Sequence, residues 1–69
     1  MTRIPVISSN VAAVGYDPLS KVLEVQFHSG ATYQYFEVPD PLYRAFMRAP
    51  SLGKYLHEHI KHQFRFLKV

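Results

Sequence analysis

The sequence predicts an α+β domain: a small antiparallel β-sheet of three or four strands in meander order, packed by two C-terminal helices. Three observations predict it. Residues 21–28, KVLEVQFH, alternate strictly, with Leu23, Val25 and Phe27 on one face and Glu24, Gln26 and His28 on the other, the pattern of a half-buried antiparallel strand. Residues 31–38, ATYQYFEV, follow directly after Ser29-Gly30 and read as the returning strand. Beyond Pro39-Asp40-Pro41 the period changes, and Leu42, Ala45, Phe46 and Ala49 recur at helical spacing.

The elements follow in order. Residues 3–8, RIPVIS, suit an edge segment, where Pro5 is tolerated because its missing N–H faces solvent. Residues 11–16, VAAVGY, alternate loosely and form the first full strand, and Asp17-Pro18-Leu19-Ser20 turns the chain with Pro at the second turn position. Asp40 is placed as the N-cap of a helix over about 41–48, with Pro41 at its first position and Arg44 and Arg48 one turn apart on another face. Pro50 stops that helix. Ser51 caps a second over about 52–63, with Leu52, Leu56 and Ile60 inward and Lys54, Glu58, Lys61 and Arg65 along the opposite side. In the last residues Phe64 and Phe66 alternate with Arg65, which suits a short extended return.

The orientation of Tyr33 and Tyr35 depends on one loop. A two-residue Ser29-Gly30 loop pairs His28 with Ala31 and sends both tyrosines to the polar face. A three-residue loop, His28-Ser29-Gly30, pairs Phe27 with Ala31 and sets Tyr33 opposite Val25 and Tyr35 opposite Leu23, on the apolar face. The longer loop is favoured, because it gives the left-handed position to Gly30, whereas the shorter one forces Ser29 to positive φ. Phe36, Gln34 and Thr32 then share the other face with Glu24 and Gln26.

A chain of 69 residues allows one domain, 1–69, and buries only roughly 60% of its unfolded surface. With no cysteine, neither a disulfide nor a thiolate-metal site reinforces the core, so aromatic residues, 14% of the chain, supply much of it. The N-terminal residues have no apolar stretch of signal-peptide length, and no run approaches the ~20 apolar residues of a membrane span, so a cytoplasmic location without membrane contact is expected. The net charge is +3, but it is unevenly placed: from residue 43 onward six cations stand against Glu58 alone, while the first 42 residues hold two cations against four acids. That asymmetry suits a solvated helical face that keeps a small protein soluble, and it is also the pattern that an anionic partner would meet.

In order and spacing, Ser8-Ser9-Asn10, Gly15-Tyr16-Asp17, Leu23-x-Val25-x-Phe27, Tyr33-x-Tyr35-Phe36 with Val38-Pro39, and Ala49-x-Ser51-x-Gly53-Lys54-Tyr55 followed by Ile60 resemble the KTSC domain. The resemblance spans about residues 8–62. The family takes its name from the C-terminal extension of some lysyl-tRNA synthetases and also occurs as a stand-alone bacterial protein. The resemblance therefore implies proximity to RNA, without aminoacylation, since no synthetase body is present here.

Three constellations bear on chemistry. Ser51, Gly53 and Lys54 stand at a predicted helix start, where free N–H groups and the dipole favour an anion. The structural reading is that Ser51 caps, Gly53 permits close packing and Lys54 pairs with Glu58. His57, Glu58, His59 and His62 point in two directions on a helix and lack the H-E-x-x-H spacing, so no metal site is expected. With no cysteine, no Gly-x-Ser-x-Gly elbow and scattered acids, neither catalytic residues nor a cofactor is expected. The expected function is a non-catalytic accessory module that binds RNA or another nucleic acid. In it Arg44, Arg48, Lys54, Lys61 and Arg65, with Ser51 and Gly53, meet phosphates, and Tyr33, Tyr35 or Phe36 stack on unpaired bases. The competing expectation is a protein-interaction module or homodimer that uses the same aromatic sheet face.

Overall fold

The computed structural model describes residues 2–69. Five strands, β1 (Arg3–Pro5), β2 (Val11–Asp17), β3 (Val22–Phe27), β4 (Thr32–Tyr35) and β5 (Phe66–Lys68), form one antiparallel sheet in meander order. Helices α1 (Asp40–Arg48) and α2 (Leu52–Tyr55) lie between β4 and β5 in the chain, and α2 continues as a π-helical turn over Leu56–Ile60. The α+β class and the meander order are as the sequence predicts; the strand count is five rather than three or four. The chain end is the reason. It gives β4 a second partner, with Phe36 N–H donating to Arg65 O and Val69 N–H to Thr32 O, each at 2.9 Å. Among the described residues no helix is long and apolar enough to cross a membrane.

The β3–β4 loop is the three-residue one. Phe27 N–H donates to Ala31 O at 2.9 Å, Gly30 N–H to Phe27 O at 3.0 Å, and Gly30 adopts φ +98°. The register follows: Leu23 faces Tyr35, and Val25 faces Tyr33. Both tyrosines therefore join the apolar face. A shift between Val11 and Ala13 in β2 accommodates one extra residue, a β-bulge that lets Val11 and Val14 both stay buried.

The helices cover that face. Val11, Val14, Leu23, Val25, Tyr35 and Val38 pack against Phe46, Leu52, Leu56 and Ile60. At the α1 end Tyr16 stacks on Tyr43, ring centroids 4.3 Å apart and nearly parallel, and the Tyr16 hydroxyl donates to Val38 O. Burial beside Asp40 and Asp17 holds the Tyr16 phenol neutral by raising its pKa.

Several local expectations are corrected. Asp40 is the first helical residue rather than the cap. Pro39 O accepts the Leu42 and Tyr43 N–H groups, so the helix starts one residue earlier, and the Asp40 carboxylate pairs with Arg44 at 2.8 Å. Pro41 is thus second in the helix. Ala45 is exposed, because the buried stripe centres on Phe46 and takes Leu42, Tyr43 and Met47 beside it. The second helix ends at Ile60, not near 63. Lys61 N–H bonds Leu56 O at 2.7 Å, five residues back, and this wider turn brings His57 over His62, centroids 5.4 Å apart. Ser51 caps as expected, its hydroxyl accepting the Lys54 N–H at 3.3 Å. Lys54 and Glu58 are both exposed, and the ion pairs among the described residues are Arg3–Glu24 and Arg44–Asp40 instead.

On the uncovered face Arg3, Gly15, Glu24 and Gln34 lie side by side across β1 to β4. Gly15 presents no side chain, so Arg3 reaches across it to Glu24 at 2.6 Å, while Gln34 Nε2 donates to the other carboxylate oxygen at 2.9 Å. The bonds from Gln34 and then Arg3 hold the Glu24 carboxyl below its ordinary value, against burial, which pushes the other way. A lowered folded pKa means the unfolded chain binds more protons in acid. This stabilisation is therefore complete above about pH 5 and is lost as pH falls through the folded value. Glu24→Gln should cost about 1–2 kcal/mol at pH 7. In urea titrations the gap from the parent should narrow as acid protonates the carboxyl, and a gap of constant size across that titration would show that the carboxylate charge plays no part.

Candidate functional site

The apolar sheet face is not wholly covered. A cavity of about 400 Å³ opens between the sheet and the π-helical turn. Phe27, Tyr33, Tyr35 and Phe66 form its sheet side; Gly53, Leu56, His57 and Lys61 form its helix side; Asn10 closes one end. The rings contact one another. Phe27 meets Tyr33 edge to face at 5.8 Å, and Tyr33 and Tyr35 lie 5.7 and 6.0 Å from Phe66.

Their accessibility differs, and the register explains why. Tyr35, opposite Leu23 and nearer the centre, is 2% exposed; Tyr33, one step toward the sheet end, is half-buried; Phe66, on the edge strand, is 55% exposed. Burial, and then the neighbouring Tyr33 hydroxyl, raise the Tyr35 pKa. The floor is thus neutral at physiological pH and puts no anion beside Lys61. Opposite, Gly53, His57 and Lys61 recur every four residues along α2 and its extension, so one side of the helix serves the cavity. A Cβ at Gly53 would stand 3.0 Å from Asn10 Nδ2. The bare glycine is what lets the loop before β2 approach the helix.

Of the residues singled out in the sequence, the cavity brings together Tyr33, Tyr35, Gly53 and Lys61. Phe36 is half-buried beyond the end of β4 and does not line it. Lys54, Arg48 and Arg65 are exposed outside the cavity, Arg44 is held by Asp40, and Ser51 is engaged as a cap. Sequence reasoning missed Asn10, Phe27, His57 and Phe66 as site residues. For Phe27 a signal was present, since the favoured register sets it on the same face as Tyr33. Phe66 lacked one, because its position depends on a strand pairing formed across the whole helical segment.

Comparisons with known proteins agree with this architecture. The KTSC domain family model matches residues 7–64. An uncharacterised protein of Stutzerimonas stutzeri is 39% identical over 70 residues, covering 100% of this chain and 99% of its own. A lysine–tRNA ligase of Nostoc is 40% identical over 58 residues, covering 84% of this chain but only 10% of the ligase. The crystal structure of a KTSC domain protein from Yersinia pestis superposes with a TM-score of 0.95 at 41% identity, covering 99% of this chain and 96% of that one. The fold is thus shared with a solved KTSC domain protein, and the chain belongs to the KTSC domain family.

Proposed function

We propose that this chain is a non-catalytic, cytoplasmic accessory module that binds single-stranded RNA, taking one unpaired base into the cavity between β4, β5 and the π-helical turn. One observation carries the reading: Tyr33 and Phe66 offer accessible ring surface in the same cavity that Lys61 and His57 border. A base needs a ring to stack on, and its phosphate needs a cation within a nucleotide's reach. Arg65, Lys54 and Arg48, all exposed, extend the positive surface for the flanking phosphates, and the helix start at Ser51 offers a further phosphate contact. The ligase relatives support an accessory role, since this region makes up about a tenth of a protein named for tRNA.

Fluorescence anisotropy with a labelled single-stranded heptamer tests the reading. Affinity should fall steeply between 50 and 200 mM salt, the mark of counterion release. Tyr33→Ala should weaken binding about tenfold, within the 1–3 kcal/mol assigned to one stacked base. Lys61→Gln should weaken it at low salt and converge with the parent at high salt. Absence of RNA binding together with a salt-insensitive dimer or protein complex would replace this reading with an interaction module.

A further inference from the structure

We infer that His57 and His62 form a two-nitrogen chelate for a zinc ion at the rim of the cavity, a site that does not depend on RNA binding. The π-helical turn creates it. In a regular helix of 3.6 residues per turn, positions five apart stand about 140° apart round the axis and cannot share a ligand. On that spacing the histidines of this segment diverge, and no metal site is expected. The backbone departs from it at one place. Lys61 N–H bonds Leu56 O, five residues back, at 2.7 Å. The wider turn brings the His57 and His62 rings together, centroids 5.4 Å apart and planes at 80°. Single π-turns of this kind recur frequently at functional sites.

That separation suits chelation. With metal–nitrogen bonds of about 2.0–2.1 Å and a tetrahedral angle, two imidazole ring centres stand about 5 Å apart. The rings meet edge to face, so they turn before a nitrogen of each aims at one point. For histidine χ2 is a broad torsion. Its axis runs close to the ring centre, so turning re-aims the nitrogens and keeps the spacing. Both rings are exposed, and neither makes a hydrogen bond among the described residues, whereas the His28 ring is engaged with Ser8 O at 2.9 Å. His59 is occupied elsewhere, packing on Tyr55 with centroids 4.4 Å apart.

The donors select the ion. Two imidazoles suit zinc and its transition-metal neighbours, whereas magnesium and calcium take oxygen ligands. Among the described residues no third histidine or acid joins the pair. Two tetrahedral positions therefore stay open to water or to an oxygen ligand. Lys61, which borders the cavity with His57, opposes the dication. The site is accordingly weaker than a four-ligand structural zinc site and exchanges its ion.

The test titrates the full chain with zinc chloride in phosphate-free buffer at about pH 7.5, where imidazole is mostly neutral. Calorimetry gives the stoichiometry, and NMR of the histidine rings gives the place. One equivalent should bind, moving the ring signals of His57 and His62 and leaving those of His28 and His59. His57→Gln and His62→Gln should each weaken binding at least about tenfold, the smallest loss seen when even an outer-shell partner of a metal site is removed. Both replace exposed residues, so the melting temperature without zinc should stay near the parent's. His59→Gln should bind zinc as the parent does, and magnesium chloride should move neither ring. Absence of a saturable response to zinc, binding that survives both substitutions, or an equal loss in His59→Gln would overturn the chelate and leave the RNA reading standing.

Discussion

Tyr35→Ala should destabilise the domain by about 3–5 kcal/mol, the cost of removing a buried ring. At 2% exposure the ring sits between Leu23 on the next strand and Phe66 at the edge, and truncation leaves a void that the rigid sheet cannot close. A 69-residue chain has in total only about 3–10 kcal/mol of stability, so urea titration at 25 °C should find the variant partly or wholly unfolded without denaturant. Two companions isolate the cause. Tyr35→Phe keeps the ring and should stay within about 0.5 kcal/mol of the parent, because the Tyr35 hydroxyl makes no hydrogen bond to the described residues and is not a buried unpaired oxygen. Tyr33→Ala, one step out and half-buried, should cost about half as much or less. If Tyr35→Ala and Tyr33→Ala cost the same, the tyrosines do not divide into floor and wall.

Phe46→Ala should cost a similar 3–5 kcal/mol, from the opposite layer. Phe46 is fully buried, and it is the single fully buried side chain of α1; its ring lies 6.0 Å from that of Tyr55 on the second helix. Phe46 therefore serves both the seating of α1 on the sheet and its contact with α2, beside the Tyr16–Tyr43 stack. Substituting exposed Ala45 by Ser, one residue away, should stay within about 0.5 kcal/mol, which separates core loss from any effect on the helix itself. Thermal unfolding of the pair reports this directly. A mild effect at Phe46 would mean that the stacked Tyr16–Tyr43 pair is enough to hold α1 in place.

What the sequence makes legible is local. The alternation of residues 21–28 and the single glycine of the next loop suffice to orient Tyr33 and Tyr35, because a hairpin register is fixed by the loop that closes it. Leu52, Leu56 and Ile60 are inward as their spacing predicts. The misses arise where two local rules compete or where contacts are remote. At the first helix start, an acid suited to capping follows a proline whose carbonyl already accepts the first N–H groups, and the backbone bonds decide the outcome. At Ala45 helical spacing admits two adjacent stripes, and the position of the bulky Phe46 selects between them. The cavity is assembled from the loop before β2, from β3, β4 and β5, and from the π-helical turn. No spacing within one segment encodes that convergence.

The fifth strand has a further consequence, for motion. It is only three residues long, all exposed, and its flanks are joined to β4 by the bonds at Phe36 and Val69. A segment held so lightly opens on its own, while the buried centre around Val25 opens only with global unfolding. Amide exchange should therefore run in two tiers, fast at Phe36 and Val69 and slow at the middle of β3. Because Phe66 is part of that segment, each excursion of the chain end also takes down one wall of the cavity. Occupancy of the cavity and docking of the last residues are then linked equilibria, so whatever fills the cavity must slow exchange at Phe36 and Val69 by the same free energy with which the docked strand favours its binding.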